Sequence, residues 1–221
     1  MNALIIGNGG REHALAWKIS QSPLVNKVYV APGNAGTELD SIIENINITD
    51  IDLLIEFAIN KNIDLTIVGP EVPLSKGIVN KFIENDLYIF GPTFQAAQLE
   101  SSKDFSKKFM KKHGIPTADY ATFTDAKLAH NYIEQKGSPI VIKADGLAAG
   151  KGVVVAMTDE EAHNAINLML SDNQFGDAGA RIVIEEFLQG EEASFIVICD
   201  GKTVLPLASS QDHKRLFDND M

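Results

Sequence analysis

The sequence contains little cysteine, and acidic residues outnumber basic ones. Its one cysteine, Cys199, excludes an internal disulfide framework and a zinc site built from several cysteines. Because Cys199 lies in the apolar run SFIVICD, we expect it to be a small core residue. The formal net charge of −11 argues against a nucleic-acid partner, since nucleic-acid phosphates are bound by basic surfaces. That charge still permits a small phosphorylated ligand held by a few local cations.

Long hydrophobic runs are also missing. No apolar run is long enough to span a bilayer, and no basic segment followed by an apolar one opens the chain. We therefore expect a cytoplasmic protein that acts without a membrane partner. Its length of 221 residues suits one large domain or two small ones.

The first half of the chain alternates strand-like and helical segments. Strand-like runs occur at the start (NALIIG), at 27–31 (KVYVA), at 64–69 (DLTIVG) and at 87–91 (LYIFG), and helical patterns occupy 50–61 and 74–84. Strands that alternate with helices indicate βα units and a parallel sheet. Glycine or proline turns follow all four runs. Ligands of such sheets bind at the carboxyl ends of the strands, so we expect a ligand site at that edge.

The first turn, GNGGREH, is close to a dinucleotide-binding fingerprint but departs from it. Glu12 stands where the pattern G-x-G-x-x-G requires its third glycine, and the first acidic residue after the second strand is Glu38. Backbone amides of Gly9 and Gly10 at a helix N-terminus, with Arg11 in the first turn, suit one phosphate monoester. We therefore predict a sugar phosphate or mononucleotide ligand rather than NAD. The alternative is that Arg11 pairs with a carboxylate on the surface.

A single acidic residue, Glu71, follows the third strand-like run and lies between two prolines in VGPEVPLSKG. Proline fixes φ and stiffens such a loop, so a carboxylate held there is placed to accept hydrogen bonds from ribose hydroxyls. The alternative is an ordinary solvated loop glutamate.

The second half, from Ser101, reads as a mixed α+β module. The segment SSKDFSKKFMKKHGIP predicts a helix that is capped by serine and ends at His113. ATFTDAKLAHNYIEQKG predicts a turn and a helix, TDEEAHNAINLMLS predicts a helix at 158–171, and the segment 181–208 predicts three strands. The domain boundary is expected near residues 100–103.

The segment PIVIKADGLAAGKGVVVA places two lysines around a loop with almost no side chains. Gly146 and Gly150 are separated by three residues rather than four, and Gly152 follows Lys151, so the segment is not a P-loop. Valines follow, so the pattern is strand, glycine loop and strand. Small residues expose backbone amides, and Lys143 and Lys151 indicate an anionic ligand, so we predict a hairpin flap over a triphosphate. The alternative is a flexible hairpin with a solvated lysine.

The segment VIEEFLQGEEAS predicts a strand that becomes a hinge. Such a hinge presents one carbonyl and one amide to the edge of adenine, with Phe187 or Leu188 against the ring, and a later carboxylate is placed to hold ribose hydroxyls. The alternative is a strand pair with exposed acids. The adenine interpretation is favoured because Lys103, Lys143, the glycine flap and the hinge occur in that order.

The order of these features resembles the ATP-grasp enzymes and, within them, the phosphoribosylamine–glycine ligase family. The resemblance covers the whole chain and rests on the blocks GNGGREHALAWK, VAPGNAGT, IDLTIVGPEVPL, IFGP, AAQLESSKDFSKKFM, HGIPTA, PIVIKADGLAAGKGV, VIEEFLQGEEAS and SQDHKR. It implies an α/β fold, with a parallel-sheet, Rossmann-like (pre-ATP-grasp) domain at 1–102 and part of an α+β ATP-grasp domain at 103–221. A flap subdomain is expected at about 121–186 within the second domain.

The resemblance also implies three groups of site residues. The nucleotide-binding group, made of the phosphate lysines, the flap, the adenine hinge and the ribose carboxylate, comprises Lys103, Lys143, Asp145, Gly146, Gly150, Lys151, Gly152, Glu185, Phe187, Leu188 and Glu192. The phosphoribosylamine-binding group comprises Gly9, Gly10, Arg11, Pro32, Gly33, Asn34 and Glu71. Asp212 and Lys214, in SQDHKR, resemble substrate-facing residues between the two sites. The catalytic residues implied are Lys143, Lys151, Asp212 and Lys214.

The reaction that the resemblance implies consumes ATP. ATP phosphorylates the carboxylate of glycine, and the amine of 5-phosphoribosylamine attacks the acyl phosphate to give glycinamide ribonucleotide, ADP and phosphate, the second step of purine synthesis. Mg²⁺, or Mn²⁺ in its place, is expected to serve the phosphoryl transfer. No metal ligand is assigned in this chain, because the family's metal ligands lie in a later segment.

The sequence ends at KRLFDNDM, whereas the family continues with a glycine-rich segment and, further on, its magnesium ligands and the rest of its glycine site; Phe217 also stands where the family usually has glycine. From this resemblance we expect the chain to correspond to the N-terminal portion of the family and to be inactive alone. Two alternatives stay open. One is a nucleotide-binding fragment without turnover, and the other is a different carboxylate–amine ligase of the superfamily, one that uses formate or bicarbonate.

Overall fold

The computed structural model describes residues 1–147, 152–172 and 179–212. The chain divides into two compact units, Met1–Glu186 and Phe187–Met221. The first unit contains two β-sheets, and the second contains a short hairpin.

A parallel five-stranded sheet forms the N-terminal part of the first unit. Its strands are β1 (Asn2–Gly7), β2 (Lys27–Pro32), β3 (Ile43–Asn45), β4 (Leu65–Val68) and β5 (Ile89–Phe90). They pair in the order β3-β2-β1-β4-β5, with β1 at the centre. The predicted parallel sheet is confirmed, but β3 was not predicted, because three residues are too short a run to show a periodic pattern.

The helices of this part follow the strands. They are α1 (Gly10–Ser20), α2 (Ala35–Glu38), α3 (Ile51–Asn60), α4 (Glu71–Ser75), α5 (Ile78–Glu84) and α6 (Phe94–Ser101). The prediction of one helix at 74–84 is wrong, because Gly77 has a φ of +79° and separates α4 from α5. Glycine adopts this left-handed conformation without the steric penalty that a side chain would bring.

The central strand is buried on both faces. Leu4 and Ile6 of β1 belong to one buried cluster with Phe82 of α5, whereas Ile5 belongs to a second cluster with Ala16 of α1. Continuous apolar strands of this kind are typical of parallel sheets covered by helices on both sides. This packing fixes the position of the loop that follows β1.

A second sheet, with four strands, follows in the same unit. Its strands are β6 (Tyr120–Phe123), β7 (Ile140–Ala144), β8 (Val153–Ala156) and β9 (Ile182–Glu186). They pair antiparallel in the order β6-β9-β7-β8. The pairing of β7 with β8 confirms the predicted hairpin. The turn predicted at the start of ATFTDAKLAHNYIEQKG is wrong, because that segment forms β6 by pairing with the distant β9.

Three helices accompany this sheet: α7 (Lys103–Lys112), α8 (Ala126–Lys136) and α9 (Asp159–Ile166), the last continued by a π-helical turn at Asn167–Ser171. Ser102 caps α7 and His113 ends it, as the sequence predicts. Ile133 of α8 and Ile166 of α9 share one buried cluster with Ile142 of β7. Helices α8 and α9 therefore cover one face of the sheet. Across the described ranges, none of the helices has the length and apolar character needed to cross a bilayer.

The second unit contains an antiparallel hairpin of β10 (Val197–Cys199) and β11 (Val204–Pro206), with a further bridge between Ser194 and Ser210. With β9, these strands confirm the three predicted for the segment 181–208. The expectation that Cys199 is a core residue is wrong, because Cys199 is exposed. All residues of β10 and β11 are exposed.

Candidate functional site

The glycine turn after β1 is packed around the carboxylate of Glu12. Glu12 is 5% exposed, and its Oε2 accepts the backbone N–H of Gly9 at 2.7 Å. A Cβ added to Gly7 or Gly69 would collide with the Glu12 side chain. The glutamate that replaces the third glycine of a dinucleotide fingerprint therefore fills the space between the ends of β1 and β4.

This contact changes how the turn is able to bind phosphate. Of the two glycine amides predicted to hold the ligand, that of Gly9 is already bonded to Glu12. Gly10 is open, since among the described residues no heavy atom beyond its chain neighbours and its own helix backbone lies within 4 Å of the position of an added Cβ. Arg11 is exposed, and its Nη2 lies 3.7 Å from Oε1 of Glu71. The two predicted substrate residues thus lie together, and because a surface pair of this kind is weak, both remain available to a ligand.

The loop after β2 is tied to the same turn by Asn34. Its Nδ2 donates to the carbonyl of Asn8 at 3.0 Å and to that of Gly9 at 3.3 Å, and its Oδ1 caps α2. Pro32 ends β2, and Gly33 has a φ of +76°. The predicted substrate residues of this loop therefore lie beside those of the first turn.

A cavity of about 370 Å³ opens at this edge of the parallel sheet. Its lining includes Gly7 and Asn8 after β1, Pro32 at the end of β2, and Pro70 and Lys76 after β4. Open α/β sheets bind ligands at this position, and the volume suits a small molecule. The carboxyl edge thus carries both the predicted residues and a cavity next to them.

The second candidate site lies on the face of the four-stranded sheet that α8 and α9 do not cover. Lys143 of β7 and Glu185 of β9 lie on this face, because successive strand residues alternate and their neighbours Ile142 and Ile184 lie in the buried cluster. Oε2 of Glu185 is 3.0 Å from Nζ of Lys143 and 3.0 Å from Nζ of Lys107. The side chain of Lys143 is 28% exposed and that of Glu185 only 7%, so Lys143 is the member that a ligand reaches.

Lys107 is a buried lysine of α7 that the sequence did not single out. Its Nζ forms the ion pair with Glu185 and donates hydrogen bonds to Oγ1 of Thr117 at 2.8 Å and to the carbonyl of Ala118 at 3.3 Å. One carboxylate and two neutral acceptors therefore surround the ammonium group. Lys107 is a fixed counter-ion for Glu185, and Lys143 is the second, more accessible one.

Lys103, the first residue of α7, lies at the base of the glycine loop. Its backbone N–H donates to the carbonyl of Asp145 at 3.2 Å, and its Nζ donates to the carbonyl of Gly146 at 3.2 Å. Burial lowers the pKa of Lys103, the carboxylate of Asp145 opposes this shift, and the ammonium of Lys143 adds to it. The ammonium of Lys143 therefore lies close enough to that of Lys103 to affect its charge.

Asp145 follows β7 directly, and its carboxylate is bonded within the protein. It accepts the backbone N–H of Asp104 at 2.7 Å and the hydroxyl of Ser102 at 3.2 Å, and Nε of Arg181 lies 3.6 Å away. Gly152, at the other side of the loop, is buried, and its carbonyl accepts the backbone N–H of Ala144 at 2.8 Å. These contacts close the base of the loop and join it to the first turn of α7.

Asp104 is the centre of a second set of ionic contacts. Its Oδ2 lies 2.7 Å from Nζ of Lys108 and 2.9 Å from Nη1 of Arg181, and its Oδ1 accepts the hydroxyl of Thr122 at 2.8 Å. Burial by itself raises the pKa of Asp104, but the hydrogen bonds from Lys108, Thr122 and Arg181 outweigh it and leave the pKa below its ordinary value. Asp104 is therefore a structural carboxylate that holds α7 against β6 and β9.

The charge around this site is positive although the chain as a whole is acidic. Cationic groups outnumber the carboxylates to which they bind, with Lys103, Lys107, Lys108, Lys143 and Arg181 surrounding Asp104, Asp145 and Glu185. An excess of positive charge at the base of a glycine loop suits a polyphosphate. No cluster of three or more metal-ligating side chains occurs in the ranges that the structure describes, and all three carboxylates are bound to cations. These three carboxylates are therefore held in ion pairs within the protein.

Some predicted residues fall elsewhere. Gly150, Lys151 and Lys214 lie outside the described ranges. The second unit holds four others, namely Phe187, Leu188, Glu192 and Asp212, and Leu188 is exposed. The division between the units follows Glu186 and so passes through the predicted adenine hinge. The roles of these residues remain predictions.

Four residues that shape the two sites were given no role from the sequence: Glu12, Lys107, Asp104 and Arg181. Glu12 carried a local signal, since a glutamate three residues after a helix N-cap is typical of a capping box. Arg181 and Asp104 carried none, because they are 77 positions apart in the chain. Contacts of such long range appear only when the sheet is assembled.

Family models match the whole chain. Residues 1–100 match the model described as phosphoribosylglycinamide synthetase, N domain, and residues 101–221 match that described as phosphoribosylglycinamide synthetase, ATP-grasp (A) domain. Together the two models leave no residue of the chain unmatched.

Individual proteins are similar to the chain over its full length. A phosphoribosylamine–glycine ligase from Ralstonia nicotianae is 64% identical over 220 residues, which cover 100% of this chain and 52% of the relative. The crystal structure of the ligase of that name from Thermotoga maritima is 32% identical, with a TM-score of 0.78, and is covered to 52%. The biotin carboxylase domain of a 2-oxoglutarate carboxylase from Hydrogenobacter thermophilus shares the fold, with 16% identity, a TM-score of 0.73 and coverage of 96% of this chain and 51% of its own. The chain spans about half the length of the curated relatives it matches.

Proposed function

The chain belongs to the phosphoribosylglycinamide synthetase family, and from this premise we propose that the full-length protein is an ATP-dependent phosphoribosylamine–glycine ligase of the cytoplasm. In the proposed reaction the carboxylate of glycine attacks the γ-phosphorus of ATP, giving glycyl phosphate and ADP. The amine of 5-phosphoribosylamine then attacks the acyl carbon and displaces phosphate, which forms the amide of glycinamide ribonucleotide.

The observation that carries the proposal is that Lys103 donates to the carbonyl of Gly146 at the start of the glycine loop while Lys143 lies in the strand that leads into it, within a chain that family models match from end to end. Phosphoryl transfer needs positioning of the triphosphate and neutralisation of charge on the moving group. Two neighbouring lysines at the base of the loop suit both needs, because their ammonium groups bind the triphosphate and neutralise its negative charge. Glu185 supports this role because it holds the Lys143 side chain in place at 3.0 Å.

The remaining nucleotide contacts are proposed from the resemblance. Lys151 and the amides of the glycine loop cover the triphosphate and exclude water from the acyl phosphate. Adenine lies against the segment of Phe187 and Leu188, and Glu192 holds the ribose. Asp212 and Lys214 face the substrates. Mg²⁺, or Mn²⁺, bound with the nucleotide supplies further neutralisation of phosphate charge, and the roles proposed for the lysines do not depend on it.

The sugar phosphate is proposed to bind at the carboxyl edge of the parallel sheet. Gly10 offers open space at the N-terminus of α1, and Arg11 supplies an exposed guanidinium for the phosphate. Glu71 lies next to Arg11 and is placed to accept from the ribose hydroxyls. Asn34 holds the second loop against the first, which keeps the site in shape before the ligand arrives.

The domain boundary is likewise proposed, with a sugar-phosphate domain at 1–102 and the ATP-grasp part at 103–221, including a flap subdomain at about 121–186. Family models meet at residues 100 and 101, and Ser102 separates α6 from α7. The compact units divide elsewhere, after Glu186. We favour the boundary at 102 because side chains and the first amide of α7 bond to Thr122 of β6, to Glu185 of β9 and to Asp145 directly after β7.

The direct test measures ADP and phosphate release by the full-length protein from ATP with 5-phosphoribosylamine and one of three carboxylates: glycine, formate or bicarbonate. Only glycine is expected to give product. Lys143→Met should weaken ATP binding at least about tenfold, since a charge-assisted contact contributes about 1.5–3 kcal/mol. Lys127→Met, a change of an exposed lysine on α8, is the matched control and should leave ATP binding unchanged.

Two results would contradict the proposal. Turnover with formate or bicarbonate rather than glycine would assign the protein to another carboxylate–amine ligase class. ATP binding without product from any of the three carboxylates would favour a nucleotide-binding protein without turnover.

A further inference from the structure

The carboxylate of Asp145 is bonded to groups inside the protein. It is 7% exposed as a residue, and it accepts the backbone N–H of Asp104 and the hydroxyl of Ser102. Nε of Arg181 lies 3.6 Å away as its counter-charge. A carboxylate at the N-terminus of a helix is also stabilised by the helix dipole. These contacts leave Asp145 poorly placed to bind a nucleotide itself, although it begins the glycine loop.

The same residue fixes where Lys103 lies. The carbonyl of Asp145 accepts the backbone N–H of Lys103, and the carbonyl of the next residue, Gly146, accepts its Nζ. The side chain of Asp145 holds the residues on both sides of Lys103, namely Ser102 and Asp104. Asp145 and Gly146, directly after β7, therefore form hydrogen bonds with three consecutive residues at the start of α7.

We propose that Asp145 is a positioning residue, which locks Lys103 to the base of the glycine loop so that its ammonium faces the phosphates of ATP. The inference rests on the proposed function, because it takes the phosphates of ATP as the ligand of Lys103. In this arrangement Asp145 acts on the nucleotide only through Lys103. The loop and the lysine are also coupled, since any displacement of the first loop residues moves the carbonyls that bind Lys103.

If Asp145 has this role, its negative charge should affect the pH dependence of ATP binding through the pKa of Lys103. Burial lowers the pKa of Lys103, and the carboxylate of Asp145 raises it again; of the other charged groups nearby, Lys143 lowers it and Glu100 and Glu185 raise it. Removing that negative charge should let the pKa of Lys103 fall further. The charged form of Lys103 would then be lost at a lower pH, and with it the contact to phosphate.

The experiment is a titration of the full-length protein with the non-hydrolysable analogue β,γ-imido-ATP between about pH 7 and pH 10. Asp145→Asn keeps the shape and one acceptor oxygen but removes the negative charge. Asp145→Ala also removes the side-chain hydrogen bonds to Ser102 and Asp104. Lys103→Met removes the proposed ligand group and is combined with Asp145→Ala in a double variant. Asp125→Ala is the matched control, because Asp125 accepts a backbone N–H at the start of α8 in the same way.

Asp145→Asn is expected to bind the analogue like the unaltered protein at pH 7 and to lose affinity at a lower pH. Asp145→Ala should bind about tenfold more weakly at pH 7, and the double variant should be no weaker than Lys103→Met alone, because the two residues act in series. Asp125→Ala should change neither the affinity for the analogue at pH 7 nor the pH at which that affinity is lost.

The inference would be overturned by losses that multiply in the double variant, or by an alkaline limb that Asp145→Asn does not move. It would also be overturned if Lys103→Met bound the analogue normally while glycine-dependent turnover persisted, and the proposed function would then stand. If the unaltered protein bound no analogue and gave no product, the proposed function would be wrong, and the inference that rests on it would be wrong as well.

Discussion

The buried pair between Glu185 and Lys107 makes a sharp test of the nucleotide-site geometry. Their charged atoms lie 3.0 Å apart, and the two side chains are 7% and 8% exposed. Glu185→Gln removes the negative charge and leaves Lys107 a buried cation with Thr117 and Ala118 as acceptors. Removing one member of a buried ion pair costs about 3–5 kcal/mol. We expect about 3 kcal/mol, the lower end, because those acceptors and the amide oxygen of glutamine remain.

The chain offers a matched control for this change. Lys27 and Glu44 form the same kind of pair between β2 and β3, at 3.2 Å, but their side chains are 31% and 51% exposed. Water already solvates such charges, so Glu44→Gln should change the free energy of unfolding by only about 0–1 kcal/mol. The two substitutions are chemically identical and differ in burial.

Native-state hydrogen exchange of the full-length protein measures both effects locally. The slowest amides of β9 should exchange about 100-fold faster in Glu185→Gln, which corresponds to about 3 kcal/mol. The amides of β2 should accelerate less than about fivefold in Glu44→Gln. Equal effects below about 1 kcal/mol at both positions would refute the reasoning, since they would mean that water reaches Glu185 as freely as it reaches Glu44.

Three further predictions follow from the same contacts. Gly10→Val should raise the KM for 5-phosphoribosylamine about 10- to 100-fold and spare that for ATP, because the side chain enters open space at the proposed phosphate site rather than the protein interior; equal losses for both substrates in steady-state kinetics would misplace the site. Asp104 should contribute stability that is complete above the ordinary pKa of an aspartate and is lost as the pH falls through its lower folded-state pKa; the acid unfolding curve of Asp104→Asn should lack that loss, and an unchanged curve would contradict the assignment. The 221-residue chain expressed alone should form no glycinamide ribonucleotide, since it spans only about half the length of the ligases that it matches; product detected by chromatography at the rate of the full-length protein would contradict this.

Much of the architecture was predictable because its signals are local. The alternation of apolar strands with helices predicted the parallel sheet, and the run of two apolar segments around a glycine loop predicted the β7–β8 hairpin. Ser102 and His113 marked the ends of α7 because capping preferences act over one helical turn. Short elements such as β3 escaped, since three residues carry too little pattern.

The interior of each site was decided by contacts that no local pattern announces. Lys143 was recognisable beside its glycine loop, but its bond to Glu185 spans 42 positions and depends on the register between β7 and β9. Asp145 was recognisable as part of the loop, yet the structure turns its carboxylate toward α7, 41 positions earlier in the chain. At the first turn, the structure showed that Glu12 accepts the backbone N–H of Gly9, one of the two amides that the sequence had offered to phosphate.

The sequence by itself therefore determined which segments become strands and helices and which residue types gather near the two sites, because propensity and periodicity act between near neighbours. Only the tertiary structure decided which charges meet. A buried charge needs a partner of opposite charge, which can lie far away in the sequence. Lys107 pairs with Glu185, and Asp104 pairs with Arg181, only because the folded chain brings these residues together. The cost of leaving such a group unpaired is what makes those distant pairings specific.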